Sequence, residues 1–260
     1  MKQNKKDNKN FNKIEVREDI IEGRNAVIEA LKSEKTTVEQ ILIAKGEMKG
    51  SINVILGLAK DLGIVTKNVD RAKLDELSQT GSHQGVIAKV TPYKYFEVED
   101  IIKYAKSKNE DPFVIILDEI EDPHNFGSII RTAEVCGAHG VIIPKRKNVG
   151  VTPTVYKTSA GAVEYMRIAK VTNINTTIEQ LKEQGLWVYG ADMHGEVCYN
   201  VNFSGAVALV IGSEGRGISK LTKGKCDVLV KIPMVGKITS LNASVAGGML
   251  MYEVLKQKLK

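Results

Sequence analysis

Between residues 113 and 232 the chain returns repeatedly to short, nearly continuous apolar runs: Phe113–Leu117, Val141–Ile143, Arg167–Val171, Leu186–Tyr189, Val207–Ile211 and Val228–Ile232. Stretches with helical spacing separate them, and a long helix is predicted from about Ser240 to the C-terminus. A strand that is apolar on both faces must be covered on both faces, so this alternation predicts a largely parallel sheet sandwiched by helices. The longest such run, Ala206–Ile211, has six residues, far short of the ~20 a membrane-spanning helix needs.

A second, smaller α/β pattern precedes this one. Helices are expected over Asn25–Lys32, Ile52–Leu62 and Arg71–Ser78, and strands over Gln40–Ala44, Ile64–Val69 and Gly85–Val90. The expected organisation is a disordered basic tail at 1–13, a small domain at 14–92, a linker at 93–112 and a large domain at 113–260. Residues 14–90 contain no Phe, Trp or Tyr, so this domain has no aromatic platform for stacking bases. Any nucleic-acid contact there must run through backbone, basic groups and shape.

The charge is placed unevenly. Of a formal net +6, the tail holds +4, while residues 131–170 and 216–237 each hold +5, masked in the total by acidic neighbours. The three cysteines are far apart and no C-x-x-C occurs, which argues against a disulfide framework or a zinc site. No metal site and a reduced, cytoplasmic setting without membrane insertion are therefore expected.

Phosphate and dinucleotide motifs fail on inspection. Before Gly236-Lys237, Lys231 stands where a P-loop needs its first glycine, and Ile238 stands where it needs Ser or Thr. Gly212-Ser213-Glu214-Gly215-Arg216-Gly217 follows a strand but lacks the G-x-G-x-x-G spacing.

Polar residues instead gather in three segments that follow apolar strands, where open α/β sheets place ligands. They are Asp122-Pro123-His124-Asn125-Phe126-Gly127 with Arg131-Thr132-Ala133, then Gly212-Ser213-Glu214-Gly215, then Ile232-Pro233-Met234 with Ser240-Leu241-Asn242-Ala243-Ser244-Val245-Ala246. Singly, Asn125 and Ser240 read as helix caps, Arg131 as a surface helix residue and Glu214 as a loop carboxylate. In order and spacing, the three segments resemble the signature of the SpoU class of SPOUT methyltransferases across 113–260. Glu22-Gly23-Arg24-Asn25-Ala26-Val27 and Ser82-His83-Gln84-Gly85-Val86 resemble the L30e-like substrate-binding domain of the subfamily that methylates a guanosine of 23S rRNA.

The resemblance implies a C-terminal α/β-knot domain, a deep trefoil knot with a parallel sheet, behind a small L30e-like α/β domain. It implies a homodimer that moves a methyl group from S-adenosylmethionine to a ribose 2′-OH of RNA, 23S rRNA before tRNA. By motif match, Gly212, Ile232 and Leu241 would hold the cofactor through their backbone, and Ile211 would add to an apolar adenine slot. Asn125, Arg131, Glu214, Ser240 and Asn242 match the catalytic positions, and Arg24, Asn25 and Arg131 are the candidate RNA contacts. A guanidinium stays protonated at any accessible pH, so Arg131 suits phosphate binding and orientation better than base catalysis, with Glu214 orienting it or accepting a proton. A tRNA-directed enzyme of the same class and a non-catalytic RNA-binding or ribosome-assembly factor remain as alternatives.

Overall fold

A computed structural model describes residues 19–33, 36–47, 50–91, 93–238 and 240–259. The tail expected at 1–13 lies outside the described residues.

The smaller sheet contains β1 (Ile20–Glu22), β2 (Val38–Ala44), β3 (Val65–Val69) and β4 (Val86–Val90) in the order β1-β4-β2-β3. β4 runs antiparallel to β1 and β2, and β2 and β3 are parallel. Alternation along β2 sends Ile41 and Ile43 towards α1 (Arg24–Lys32) and α2 (Ser51–Asp61), and Leu42 towards Leu74 on α3 (Arg71–Leu77). The strand β1 has only three residues, too short for a period of two to show in sequence.

The larger sheet has six parallel strands in the order β10-β8-β9-β5-β6-β7. They are β5 (Phe113–Asp118), β6 (Gly140–Pro144), β7 (Ile168–Val171), β8 (Trp187–Val197), β9 (Val207–Gly212) and β10 (Val228–Lys231). On β5, Phe113, Ile115 and Leu117 join the core beneath α5 (Pro123–Val135) and α9 (Ala243–Lys258). Val114 and Ile116 point the other way, into a core shared with α7 (Ile174–Glu183). Both faces are dry, as the continuous apolar runs require.

The segment 93–112 is not a free linker. It contains α4 (Val98–Ser107), begun by a reciprocal capping box between Glu97 and Asp100. Its buried Val98, Ile101 and Ile102 face the second core, and Phe96 bridges to Ala169 on β7, its N–H donating to Ile168 O at 2.9 Å. The polar run near Pro112 is only the exit turn of that helix.

The two sheets meet through α6 (Pro153–Thr158) and the turn after it. Thr36 Oγ1 donates to both oxygens of buried Glu164, at 2.7 and 2.9 Å, and lies 3.2 Å from Tyr156 Oη. Lys157 Nζ donates to Ser82 O at 3.2 Å. On the other side, α6 presses against α5 at Gly127, where a Cβ would lie 1.9 Å from Thr158 Oγ1. The smaller domain is thus braced on the helix that packs beside the start of α5. No helix among the described residues is long and apolar enough to cross a membrane.

Candidate active site

Three chain segments arrive together at the carboxyl ends of β5 and β9, where the strand order reverses direction along the sheet. Asp122 caps α5 by accepting the His124 N–H at 3.0 Å, and Pro123 fills the first turn, where no N–H is needed. Asn125 is therefore an inward residue of the first turn, buried, rather than the cap. Asn242 caps α9, its Oδ1 accepting from Ser244 N at 3.0 Å, Val245 N at 3.3 Å and Ser244 Oγ at 2.6 Å.

The free ends of these side chains converge on Glu214. Asn125 Nδ2 donates to Glu214 Oε1 at 3.1 Å, and Asn242 Nδ2 donates both to that oxygen and to Asn125 Oδ1, the latter at 2.9 Å. The Ala243 N–H approaches the same carboxylate oxygen at 3.4 Å. One carboxylate thus pins the starts of two helices to the loop after β9.

That loop folds back tightly on itself. Gly217 N donates to Ser213 O at 2.9 Å, and a Cβ on Gly212 would sit 2.1 Å from the Gly217 carbonyl carbon. Only glycine allows this approach, and it leaves backbone facing a pocket of about 250 Å³. Ile211, Gly212, Ile232, Leu241, Ala246 and Leu250 make its apolar wall, and Glu214 and Ser240 stand on its lining. The structure places all four expected cofactor positions on this one wall.

The remaining expected positions occupy varied surroundings. Arg131 is exposed and makes no hydrogen bond or ion pair among the described residues, and six residues along α5 put it about 120° around the helix from Asn125. Glu214 does not orient it, because the two asparagines take that carboxylate instead. Ser240 lines the pocket without capping α9, a role Asn242 fills. Arg24 is not a free cation: its Nε donates to Gln84 O at 3.0 Å and an NH2 donates to Glu47 Oε2 at 2.6 Å. It braces the 84–85 turn, while Asn25 is exposed at the first turn of α1. Buried Glu22 works similarly, accepting Gln79 N at 2.8 Å, Thr80 N at 3.1 Å and the hydroxyls of Ser78 and Thr80.

One wall of the pocket carried no signal in the sequence. Ala191, Asp192, Met193 and His194 line it from β8, facing Lys223 at the end of α8 (Lys220–Lys223). Burial alone would raise the Asp192 carboxyl, but hydrogen bonds from Lys223 and the His194 amide, with the Lys223 charge, hold it below the ordinary carboxylate value.

A doubly covered parallel sheet, with a glycine-cradled pocket and a converging polar cluster at its carboxyl edge, defines an α/β enzyme built around a small bound ligand. The SpoU rRNA methylase family model matches residues 112–252, and the model for RNA 2′-O ribose methyltransferase substrate binding matches residues 20–96. The chain is 51% identical over 241 residues to YacO of Bacillus subtilis, named as a TrmH family tRNA/rRNA methyltransferase, covering 92% of this chain and 96% of that one. It is 46% identical to a protein named to the same family in Staphylococcus aureus, over the same shares of both chains. The SpoU methyltransferase AviRb of Streptomyces viridochromogenes, crystallised with AdoMet, shares the fold with a TM-score of 0.77 at 23% identity, over 92% of this chain and 90% of that one. The chain belongs to the SpoU rRNA methylase family, as an RNA 2′-O-methyltransferase of the TrmH/SpoU kind.

Proposed function

We propose that this protein transfers a methyl group from S-adenosylmethionine to the ribose 2′-OH of a guanosine in 23S rRNA. The observation that carries the reading is the single Glu214 carboxylate joining Asn125 and Asn242 at the rim of the glycine-cradled pocket. The pocket suits the cofactor: backbone at Gly212 and the apolar side chains of Ile211, Ile232 and Leu241 can enclose an adenine without a competing charge. S-adenosylmethionine, when bound, supplies an electrophilic sulfonium methyl.

The 2′-OH is a weak nucleophile, so the protein's part is alignment and exclusion of water. Asn125, Asn242 and Ser240 fix the geometry around the hydroxyl, and Glu214 stands ready to take its proton. The unpaired guanidinium of Arg131 holds a phosphate of the target nucleotide. Asn25 and the turn braced by Arg24 offer the smaller domain's contact with RNA backbone. Trefoil knotting of the last strands and α9, and a cytoplasmic setting, belong to the same reading.

A homodimer is supported by an apolar stripe on α9. Val245, Met249 and Tyr252 are exposed along one helical face, and Val135 is exposed at the end of α5, which packs on α9. The test is mass-spectrometric mapping of 2′-O-methyl nucleosides in rRNA and tRNA from cells with and without the gene. Loss of one rRNA guanosine mark is expected; loss of a tRNA mark redirects the substrate, and no loss favours a non-catalytic factor.

A further inference from the structure

The strand β8 meets β10 in two separate places. Gly190 pairs with Leu229 and Glu196 with Val230, so the five residues Ala191–Gly195 stand between two consecutive β10 partners. A Cβ on Gly195 would lie 2.3 Å from the Leu229 carbonyl, so this glycine lets the detour close tightly onto β10. Four residues of the detour line the pocket, and the buried charge among them is Asp192.

The Asp192 side chain is 7% exposed, ion-paired with Lys223, and accepts the His194 N–H at 2.9 Å. A carboxylate is costly to bury, and a paired one contributes little net stability compared with a well-packed apolar substitute. Of the other charges around the pocket, Glu214 is committed to Asn125 and Asn242 and Arg216 to Glu119 at 3.7 Å, while Lys231 makes no ion pair among the described residues. Among the described residues, Asp192–Lys223 is the one ion pair whose two members both line the pocket. The wall formed by Ile211, Ile232, Leu241 and Leu250 suits a flat apolar ring and carries no charge. Asp192 and Lys223 offer one negative and one positive group, the complement of an α-amino acid's ammonium and carboxylate. A ribose diol would engage the carboxylate alone and offers no anion to the lysine.

Resting on the proposed use of S-adenosylmethionine, we infer that Asp192 and Lys223 form the subsite for the amino-acid end of the cofactor. Asp192 receives the ammonium, and Lys223 receives the carboxylate. The detour in β8 exists to bring Asp192 into the pocket, while Lys223 comes from the segment after the Glu214 loop.

Titration calorimetry with two uncharged-sulfur probes tests this: S-adenosylhomocysteine, which has the amino-acid end, and 5′-methylthioadenosine, which lacks it. Asp192→Asn and Lys223→Gln are each expected to weaken S-adenosylhomocysteine by about ten-fold or more, the scale of one charge-assisted hydrogen bond. Both should leave 5′-methylthioadenosine within about two-fold of wild type, with thermal unfolding recording that the variants are folded. Equal losses for the two probes, or an unchanged affinity for S-adenosylhomocysteine, would overturn the subsite while leaving the cofactor reading intact. A wild-type protein that binds neither probe would overturn both.

Discussion

Asn242 Nδ2 lies 2.9 Å from Asn125 Oδ1, so the cap of the last helix is tied directly to the first turn of α5, 117 residues earlier in the chain. The same side chain serves two ends, with Oδ1 towards the α9 amides and Nδ2 towards Asn125 and Glu214.

These two ends can be separated. Asn242→Asp keeps the capping oxygen, and aspartate caps as well as asparagine. It replaces the donor with an acceptor facing a carboxylate and a carbonyl oxygen. The cap is kept, but two facing carboxylates and the lost donor are expected to cost about 1–3 kcal/mol of stability, while methyl transfer falls about 100-fold through misalignment. Asn242→Ala should lose the cap as well, about 1 kcal/mol of stability. Wild-type turnover in Asn242→Asp, measured with labelled cofactor, would contradict the alignment role.

Two glycines separate pocket shape from folding. A Cβ at Gly212 meets backbone at 2.1 Å, so Gly212→Ala must displace the loop; a loss of about 1–3 kcal/mol and of S-adenosylhomocysteine binding is expected. A Cβ at Gly247 meets only the Ile211 side chain, closest at Cδ1, 2.6 Å away, and this flexible end lines the pocket. Gly247→Ala should fold at least as well, since alanine favours a helix by about 1 kcal/mol, yet bind the ligand more weakly. Calorimetry and thermal melts on both variants check the contrast.

Among the described residues, exposed Arg131 makes no hydrogen bond or ion pair. Arg131→Lys is expected to leave stability within about 0.5 kcal/mol and cofactor affinity unchanged, and to abolish most turnover, since lysine cannot present a planar two-pronged donor. Near-normal turnover on rRNA would sink the assignment.

What the sequence disclosed follows from where its information is local. β5 and β9 were legible because a doubly buried strand must be apolar throughout, and the three polar segments because each is contiguous. The packing of α4 was hidden by its polar exit: an amphipathic face says that something covers it, not that the cover is the second sheet. Arg24 is a candidate RNA contact in sequence, and nothing local reveals that Gln84, sixty residues on, accepts its hydrogen bonds. The β8 detour was invisible for a similar reason, since it is defined by a shift against β10. Asp192 and Lys223 meet only after that shift is made.

His139 gives the fold a pH dependence of known sign. Its Nδ1 accepts the Phe113 N–H at 3.0 Å, so the ring proton sits on Nε2 and donates to Glu110 Oε2, also 3.0 Å away. Burial pushes the imidazole below its ordinary value of 6.5, against the opposing pull of Glu110. Above that value the ring is neutral folded and unfolded, and its contribution is complete. As pH falls below it, the unfolded chain takes up a proton that the folded ring resists, and stability declines until the lowered folded value is passed. Thermal melts from pH 7.5 to 5 should therefore fall more steeply for wild type than for His139→Gln, which keeps a side-chain acceptor and cannot titrate. Parallel slopes would assign the acid sensitivity to other groups.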